Sequence, residues 1–184
     1  MALTIAETTP YAWPWDGAFS PTRTALVVVT VPGAPAPVAA VDEVARALHV
    51  AGGAVVHVTT APPRSDPGAV AGAWGPAEHL PDHRVTSYGV DGFVGSPLDG
   101  LLRSLGRDQL LLAGAWLETA VHSTMRSAND RGYECLLMLD ACTPYDGGLL
   151  AAARSQIEMS GGIFGAVGET PAVLAALLTE RTPA

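Results

Sequence analysis

The stretch "LLLAGAWLETAVHSTMRSANDRGYECLLMLDAC", residues 110–142, decides the fold. It opens with an apolar run of strand length, and residues 118–131 then keep helical spacing up to Gly132. A second apolar run, residues 134–139, follows directly. This strand, helix, strand order is typical of two parallel strands joined by a crossover helix.

The same alternation continues on both sides of this stretch. Strands are predicted at residues 24–31, 54–59, 84–88, 109–113, 134–139 and 162–167, and helices at 38–51, from 96–97, at 118–131, 149–159 and from 170–171. We therefore expect one α/β domain over residues 24–184, with a parallel sheet covered by helices on both faces. Residues 1–23 are predicted to form an arm over its surface, anchored by Tyr11, Trp13 and Trp15.

Composition excludes several classes of partner. A chain of 184 residues fits one domain with a sizeable core. The formal charge of −8, with no basic cluster, argues against nucleic acid and anionic membranes. No apolar run approaches the ~20 residues that span a bilayer, and the N-terminus lacks a signal-peptide pattern, so we expect a cytoplasmic protein. Its two cysteines, Cys135 and Cys142, do not indicate a disulfide framework.

The fold predicts where a ligand binds. In open parallel sheets, ligands lie outside the carboxyl ends of the strands, which places a site around Thr30 and the turn at residues 113–120. A cysteine at the start of the following helix would be activated by the helix dipole and free N–H groups. The turn contains "WLETA", residues 116–120, and offers no thiol.

Four segments carry a resemblance to a known family. "TALVVVTV" (residues 24–31), the stretch 110–142 and "MSGGIFGAV" (159–167) resemble the isochorismatase-like cysteine hydrolases, and "PYAWPWDG" (10–17) resembles the leader of their biuret and ureidoacrylate amidohydrolase branch. The resemblance spans nearly the whole chain. It implies a three-layer α/β/α sandwich with a six-stranded parallel sheet, assembled as a dimer or tetramer. The metal-binding pattern of the nicotinamidase branch has no match, so no metal and no cofactor is expected.

The resemblance also locates the family's catalytic residues. Family members hydrolyse C–N bonds with an Asp, Lys and Cys triad, and the matching positions here are Thr30, Ser87 and Ala120. The branch's additional glutamine position is Ser160. A methyl group cannot attack a carbonyl, Thr30 has no charge to act as base, and Ser87 supplies no cation. We therefore predict that the family's acyl-enzyme mechanism is lost.

Other residues offer partial replacements. Cys142 follows a strand end, but a packing role is the favoured interpretation. Glu118 and His122 stand four apart and are a possible acid and base pair. Glu118 lies roughly 160° around the helix axis from Ala120, however, so a surface pair near a helix start is favoured.

A metal site at residues 79–83 and an aromatic site at Trp116 are two further hypotheses. His79, Asp82 and His83 have ligand chemistry, but solvated loop residues are the favoured interpretation. Trp116, in the turn that forms the family's oxyanion hole, either plugs the old pocket or stacks on a flat ligand. The candidate pocket is Thr30, Ser87, Tyr88, Asp91, Trp116, Glu118, Ala120, His122 and Ser160.

The sequence is compatible with three functions. The favoured hypothesis is a repurposed small-molecule site in specialised metabolism. The chemistry expected of such a site is a non-hydrolytic step such as cyclisation, isomerisation or elimination. The second is a non-catalytic subunit or regulator that forms a hetero-oligomer with an active enzyme. The third is a residual hydrolase that uses Cys142 or a serine.

Overall fold

The apolar runs of the chain form a six-stranded, all-parallel sheet. The computed structural model describes residues 4–35, 37, 39–61, 74 and 80–180. The strand order is β3-β2-β1-β4-β5-β6. The strands are β1 (Thr24–Thr30), β2 (Ala54–Thr60), β3 (His83–Ser87), β4 (Gln109–Ala115), β5 (Glu134–Thr143) and β6 (Ala166–Gly168). The order reverses beside β1, so a crevice at its carboxyl end is the expected ligand position.

Helices cover both faces of the sheet. They are α1 (Ala39–Val50), α2 (Leu98–Ser104), α3 (His122–Asp130), α4 (Leu150–Glu158) and α5 (Thr170–Glu180). A π-helical turn, Leu117–Val121, precedes α3. None of the helices in the described part of the chain is long and apolar enough to span a membrane.

Strand β1 is apolar throughout because both of its faces are buried. Val27 and Val29 pack into one core cluster with residues of α2, α3 and α4. Leu26 and Val28 pack into a second cluster with residues of α1 and α5. The predicted three-layer α/β/α sandwich is therefore confirmed.

Two predicted elements differ in extent from the observed ones. The last strand, predicted at residues 162–167, covers only Ala166–Gly168. Gly162 and Gly165 have φ of 102° and 87°, which is left-handed backbone that keeps the preceding residues in a turn. The helix predicted at residues 118–131 begins as the π-helical turn and becomes α-helical only at His122.

The arm packs more deeply than predicted. Trp13 is fully buried in the core cluster that contains residues of α1 and α5, so its side chain anchors the arm within the core. Trp15 is 70% exposed. The Tyr11 hydroxyl donates a hydrogen bond of 2.7 Å to Glu134 Oε1. Thr9 forms antiparallel backbone hydrogen bonds with Val167 in β6, so the arm covers that edge of the sheet.

Candidate functional site

Most of the predicted site residues lie at the carboxyl ends of the strands or in the loops that follow them, whereas Ser160 lies just after α4, before β6. Thr30 ends β1 and Ser87 ends β3, while Trp116 and Ala120 follow β4. Because β2 lies between β1 and β3, two inter-strand spacings separate Thr30 from Ser87, which is roughly 9–10 Å across the sheet. The two side chains therefore lie in separate environments.

Ala120 occupies an apolar environment at the start of the helix. Its side chain is fully buried in the core cluster that contains Val29 and Leu117. Its carbonyl accepts a hydrogen bond of 2.7 Å from Thr124 Oγ1, which itself accepts from the Gly92 N–H at 2.9 Å. Through these two hydrogen bonds Ala120 connects the start of the helix to the loop after β3. The sequence resemblance matches this position to the family's nucleophile, and a methyl group has no nucleophilic chemistry.

Thr30 belongs to a buried polar network on the opposite face. Its Oγ1 lies 2.8 Å from His57 Nε2, and His57 Nδ1 lies 3.0 Å from Arg84 Nη1. The His57 ring packs edge-on against Trp74, whose indole donates a hydrogen bond to Asp42 in α1. Thr30 is therefore directed toward the α1 face, whereas Ala120 packs with the other core cluster.

The network fixes the proton on His57. Arg84 has only donors, so His57 Nδ1 accepts from it. Burial, followed by the nearby charge of Arg84, lowers the pKa of His57 to about 4, so the ring is neutral near pH 7. A neutral ring that accepts at Nδ1 carries its hydrogen on Nε2 and donates to Thr30. His57 consequently does not act as a base on the Thr30 hydroxyl.

The sequence interpretation missed His57. It stands within the apolar strand β2, where its register partner in β1 is Val28. The signal that was available is a single imidazole in an otherwise apolar, β-branched run, next to the strand that ends in Thr30. An isolated buried polar residue of this kind needs a partner inside the protein.

Ser87, which the sequence resemblance matches to the family's lysine, stabilises a turn. It is fully buried, donates from Oγ to the Asp91 carbonyl at 2.5 Å and accepts from the Gly89 N–H at 3.2 Å. The Asp91 carboxylate accepts from the Phe93 N–H at 2.7 Å. Tyr88 is 66% exposed. These residues lie together in the loop after β3, but the polar groups of Ser87 and Asp91 bond within that loop.

Trp116 forms an aromatic pair with a residue that sequence reasoning did not single out. Its ring is half-buried and meets Tyr145 edge-to-face at 5.2 Å between centroids, and Tyr145 is 76% exposed. Glu118 holds this arrangement, because its carboxylate accepts from the backbone N–H groups of Tyr145 at 2.8 Å and Asp146 at 3.2 Å. We call Trp116 and Tyr145 the aromatic pair.

The predicted pairing of Glu118 with His122 takes a different form. Glu118 bonds to the backbone N–H groups of residues 145 and 146. His122 is only 7% exposed, so the interpretation as a surface pair is wrong for this residue. Burial, with a smaller contribution from Arg126, lowers the pKa of His122.

The remaining candidates have structural partners. Burial raises the pKa of Cys142 well above its ordinary value, despite an opposing hydrogen bond from the Gly114 backbone, so this thiol is not activated. Ser160 donates to the Ile157 carbonyl at 2.7 Å and accepts from the Phe164 N–H at 3.2 Å, which closes the end of α4.

The candidate metal ligands do not form one cluster in the described part of the chain. Asp82 pairs with His49 at 2.9 Å and accepts from the Val55 N–H at 2.7 Å. His83 begins β3, and His79 lies outside the described residues. No group of three or more His, Cys, Asp or Glu side chains within the described ranges could hold a metal ion.

Comparison with known proteins assigns the scaffold. The family model described as the isochorismatase domain matches residues 23–168, which is most of the chain. The chain belongs to the isochorismatase family. An isochorismatase family protein from Burkholderia thailandensis is similar to it, with 24% identity, a TM-score of 0.71, and coverage of 87% of this chain and 97% of that one.

Two solved relatives carry the names of amide-cleaving enzymes. The nicotinamidase of Staphylococcus aureus is 17% identical to this family member, with a TM-score of 0.62 and coverage of 80% of this chain and 99% of that one. The N-carbamoylsarcosine amidase of Thermoplasma acidophilum is 21% identical, with a TM-score of 0.61 and coverage of 80% and 96%. At these identities the likeness shows a shared fold.

Proposed function

We propose that this isochorismatase-family protein, of the biuret and ureidoacrylate type, has lost thiol-dependent C–N hydrolysis and binds a flat small molecule at the aromatic pair. The observation that carries the proposal is Ala120, a fully buried methyl group at the position matched to the family's nucleophile. Thr30 and Ser87, at the other two triad positions, direct their hydroxyl groups into separate hydrogen-bond networks. Among the described residues, the candidate acid, base and nucleophile positions do not converge around Ala120.

The aromatic pair supplies a recognition surface beyond the carboxyl ends of β4 and β5. Trp116 is half-buried and Tyr145 is exposed, so their rings present apolar area next to solvent. Aromatic faces stack on flat ligands with offset or edge-to-face geometry, and both side chains carry a polar group that orients a ligand. Any chemistry at such a site is non-hydrolytic, with cyclisation, isomerisation or elimination as the candidate steps.

The proposal is tested by hydrolysis and binding together. We expect no turnover of biuret, ureidoacrylate or simple amides. Native mass spectrometry of the protein from its source organism is expected to retain a small molecule, and Trp116→Ala to release it. Trp116→Phe, which keeps a flat ring, is the matched control and is expected to keep the ligand.

Two results contradict the proposal. The first is amide hydrolysis by the wild-type protein; its loss in a Cys142→Ala variant would assign the activity to the residual-hydrolase hypothesis. The second is a bound molecule that Trp116→Ala and the wild-type protein retain equally.

A second candidate function has its own support. Large apolar side chains are exposed in the loops after β3 and β5, namely Tyr88, Val90, Val94, Tyr145 and Leu149. If these side chains form one continuous surface, they favour a protein interface, which fits a non-catalytic subunit of an active enzyme. Co-purification of a second, active isochorismatase-family chain from the source organism is the expected result for this alternative. A homogeneous homo-oligomer, dimer or tetramer, argues against it.

A further inference from the structure

A small crevice lies between the π-helical turn, the start of α3 and the helix α4. Its volume is about 100 Å³. The side chains that line it are Glu118, His122, Leu149, Ala152, Ala153 and Gln156. With ~30 Å³ for each water in the liquid, this space fits about three waters or a molecule of similar size.

His122 provides an unsatisfied polar group beside this crevice. Its side chain is more than nine-tenths buried, and its Nε2 is shielded from solvent without a hydrogen-bond partner among the described residues. A buried polar atom without a partner costs folding free energy. The ring is neutral near pH 7 because burial and then Arg126 lower its pKa, so one ring nitrogen is an acceptor.

Glu118 provides a negative charge at the same place. Its two carboxylate oxygens each accept one backbone N–H, which leaves capacity for further donors. Within the described ranges, none of the ion pairs closer than 4.0 Å includes Glu118. Gln156 also lines the crevice, and its side chain carries an amide oxygen that can accept a hydrogen bond.

We propose that this crevice binds a compact cation with several N–H donors, of the amidine class, between Glu118 and His122. A planar amidinium matches a carboxylate with two parallel hydrogen bonds, and such charge-assisted bonds are the strongest available to it. A remaining N–H reaches the imidazole or the Gln156 amide oxygen. The inference does not depend on the ligand proposed at the aromatic pair, since Trp116 does not line the crevice.

Acetamidine and acetamide are the probes, because they have nearly the same shape and differ in charge. The wild-type protein, titrated near pH 7, is expected to bind acetamidine at least about tenfold more tightly than acetamide, as the charge-assisted bonds require. The His122 ring resonances in NMR spectra are expected to shift with acetamidine. Equal binding of the two probes, or no binding of acetamidine, overturns the proposal.

A pair of variants on α4 tests the location. Ala152 lines the crevice, whereas Ala151 is an exposed neighbour that does not. Ala152→Phe is expected to abolish acetamidine binding, and Ala151→Phe to leave it unchanged. Glu118→Gln is expected to weaken it at least about tenfold while keeping one backbone hydrogen bond. Equal binding by the two phenylalanine variants, with melting temperatures confirming that both are folded, overturns the proposal.

Trp116→Ala separates this inference from the proposed function. Acetamidine binding that persists in this variant, while the small molecule of the aromatic pair is lost, supports two sites. Loss of acetamidine binding in Trp116→Ala, with the fold intact, contradicts a crevice that is independent of the aromatic pair.

Discussion

His57 illustrates how one buried side chain determines the chemistry of its neighbours. Because Arg84 donates to Nδ1, the neutral ring donates from Nε2 to Thr30. The hydroxyl at the position that the resemblance matches to the family's aspartate therefore accepts a hydrogen bond from a neutral ring, which is itself held by the charged Arg84 guanidinium. A threonine fits this arrangement because its hydroxyl satisfies the ring N–H without placing a further charge in the buried network.

The first prediction concerns the pH dependence of stability. His57 has a pKa of about 4 in the folded protein against 6.5 for the free side chain, so the unfolded chain binds a proton that the folded one does not. Its contribution to stability is complete above pH 6.5 and is lost as the pH falls toward 4. The loss is on the order of 3 kcal/mol, measurable by urea unfolding at several pH values.

Variants isolate the contribution of His57. His57→Phe is expected to reduce the decline in unfolding free energy between pH 6.5 and 4, even though it lowers stability at pH 7. Part of the decline is expected to persist, because burial also lowers the pKa of His122. His83→Gln, at a partly exposed residue, is expected to keep the wild-type decline. An equally steep decline in His57→Phe would assign the pH dependence to other groups.

The second prediction contrasts two buried polar residues in α3. Thr124 Oγ1 both donates to the Ala120 carbonyl and accepts from the Gly92 N–H, whereas His122 Nε2 has no partner among the described residues. Thr124→Val is expected to lower the unfolding free energy by about 1–3 kcal/mol, because it leaves the Gly92 N–H without its acceptor and removes the side-chain hydrogen bond to the Ala120 carbonyl. His122→Leu is expected to change it by less than about 1 kcal/mol. Chemical denaturation measures both values, and a larger loss in His122→Leu would mean that the imidazole has a stabilising partner.

At the scale of elements, the turn after β4 depends on one glycine. Gly114 has φ of +126°, and a Cβ there would lie 1.9 Å from the Val29 carbonyl oxygen in β1. The register between β4 and β5 also shifts between Leu112 and Gly114. This irregularity leads the chain from the sheet into the turn that carries Trp116.

The third prediction follows from this close approach. Gly114→Ala is expected to lower the unfolding free energy by about 3 kcal/mol or more, through backbone strain and displacement of β1. Gly100→Ala is the control, because Gly100 lies in α2 with open space around its Cβ position. Gly100→Ala is expected to raise the unfolding free energy by about 0.5–1 kcal/mol. Thermal and chemical unfolding compare the two, and similar values for both would contradict the role assigned to Gly114.

Elements with a strong apolar period were predictable, and those set by local backbone geometry were not. The run at residues 24–31 predicted β1 because a doubly covered strand needs apolar residues on both faces. The last strand was predicted to begin too early because Ile163 and Phe164 have high strand propensity, whereas Gly161, Gly162 and Gly165 beside them have left-handed backbone. The contact between Trp116, which follows β4, and Tyr145, which follows β5, joins two separate loops and leaves no periodic trace in the sequence.

At the scale of the whole molecule, the scaffold and the site are separable. Solved relatives between 17% and 24% identical to this chain keep the same fold, with TM-scores between 0.61 and 0.71. Buried apolar patterns sustain the sheet and its helices, so the residues at the carboxyl edge are free to change without loss of the fold. The candidate site could therefore be placed from the sequence, but the partners of Thr30, Ser87 and Glu118 could not.

The fourth prediction tests whether restoring residue types restores chemistry. The triple variant Thr30→Asp, Ser87→Lys and Ala120→Cys carries the family's triad, yet we expect no hydrolysis of biuret or simple amides. Position 30 faces His57 on the α1 side, position 87 is fully buried within its loop, and position 120 packs among apolar side chains. A desolvated lysine and cysteine both favour their neutral forms, so neither the cation nor the thiolate is available. Amide hydrolysis by a folded triple variant, absent from Ala120→Cys alone, would show that the surrounding structure still supports the family's mechanism.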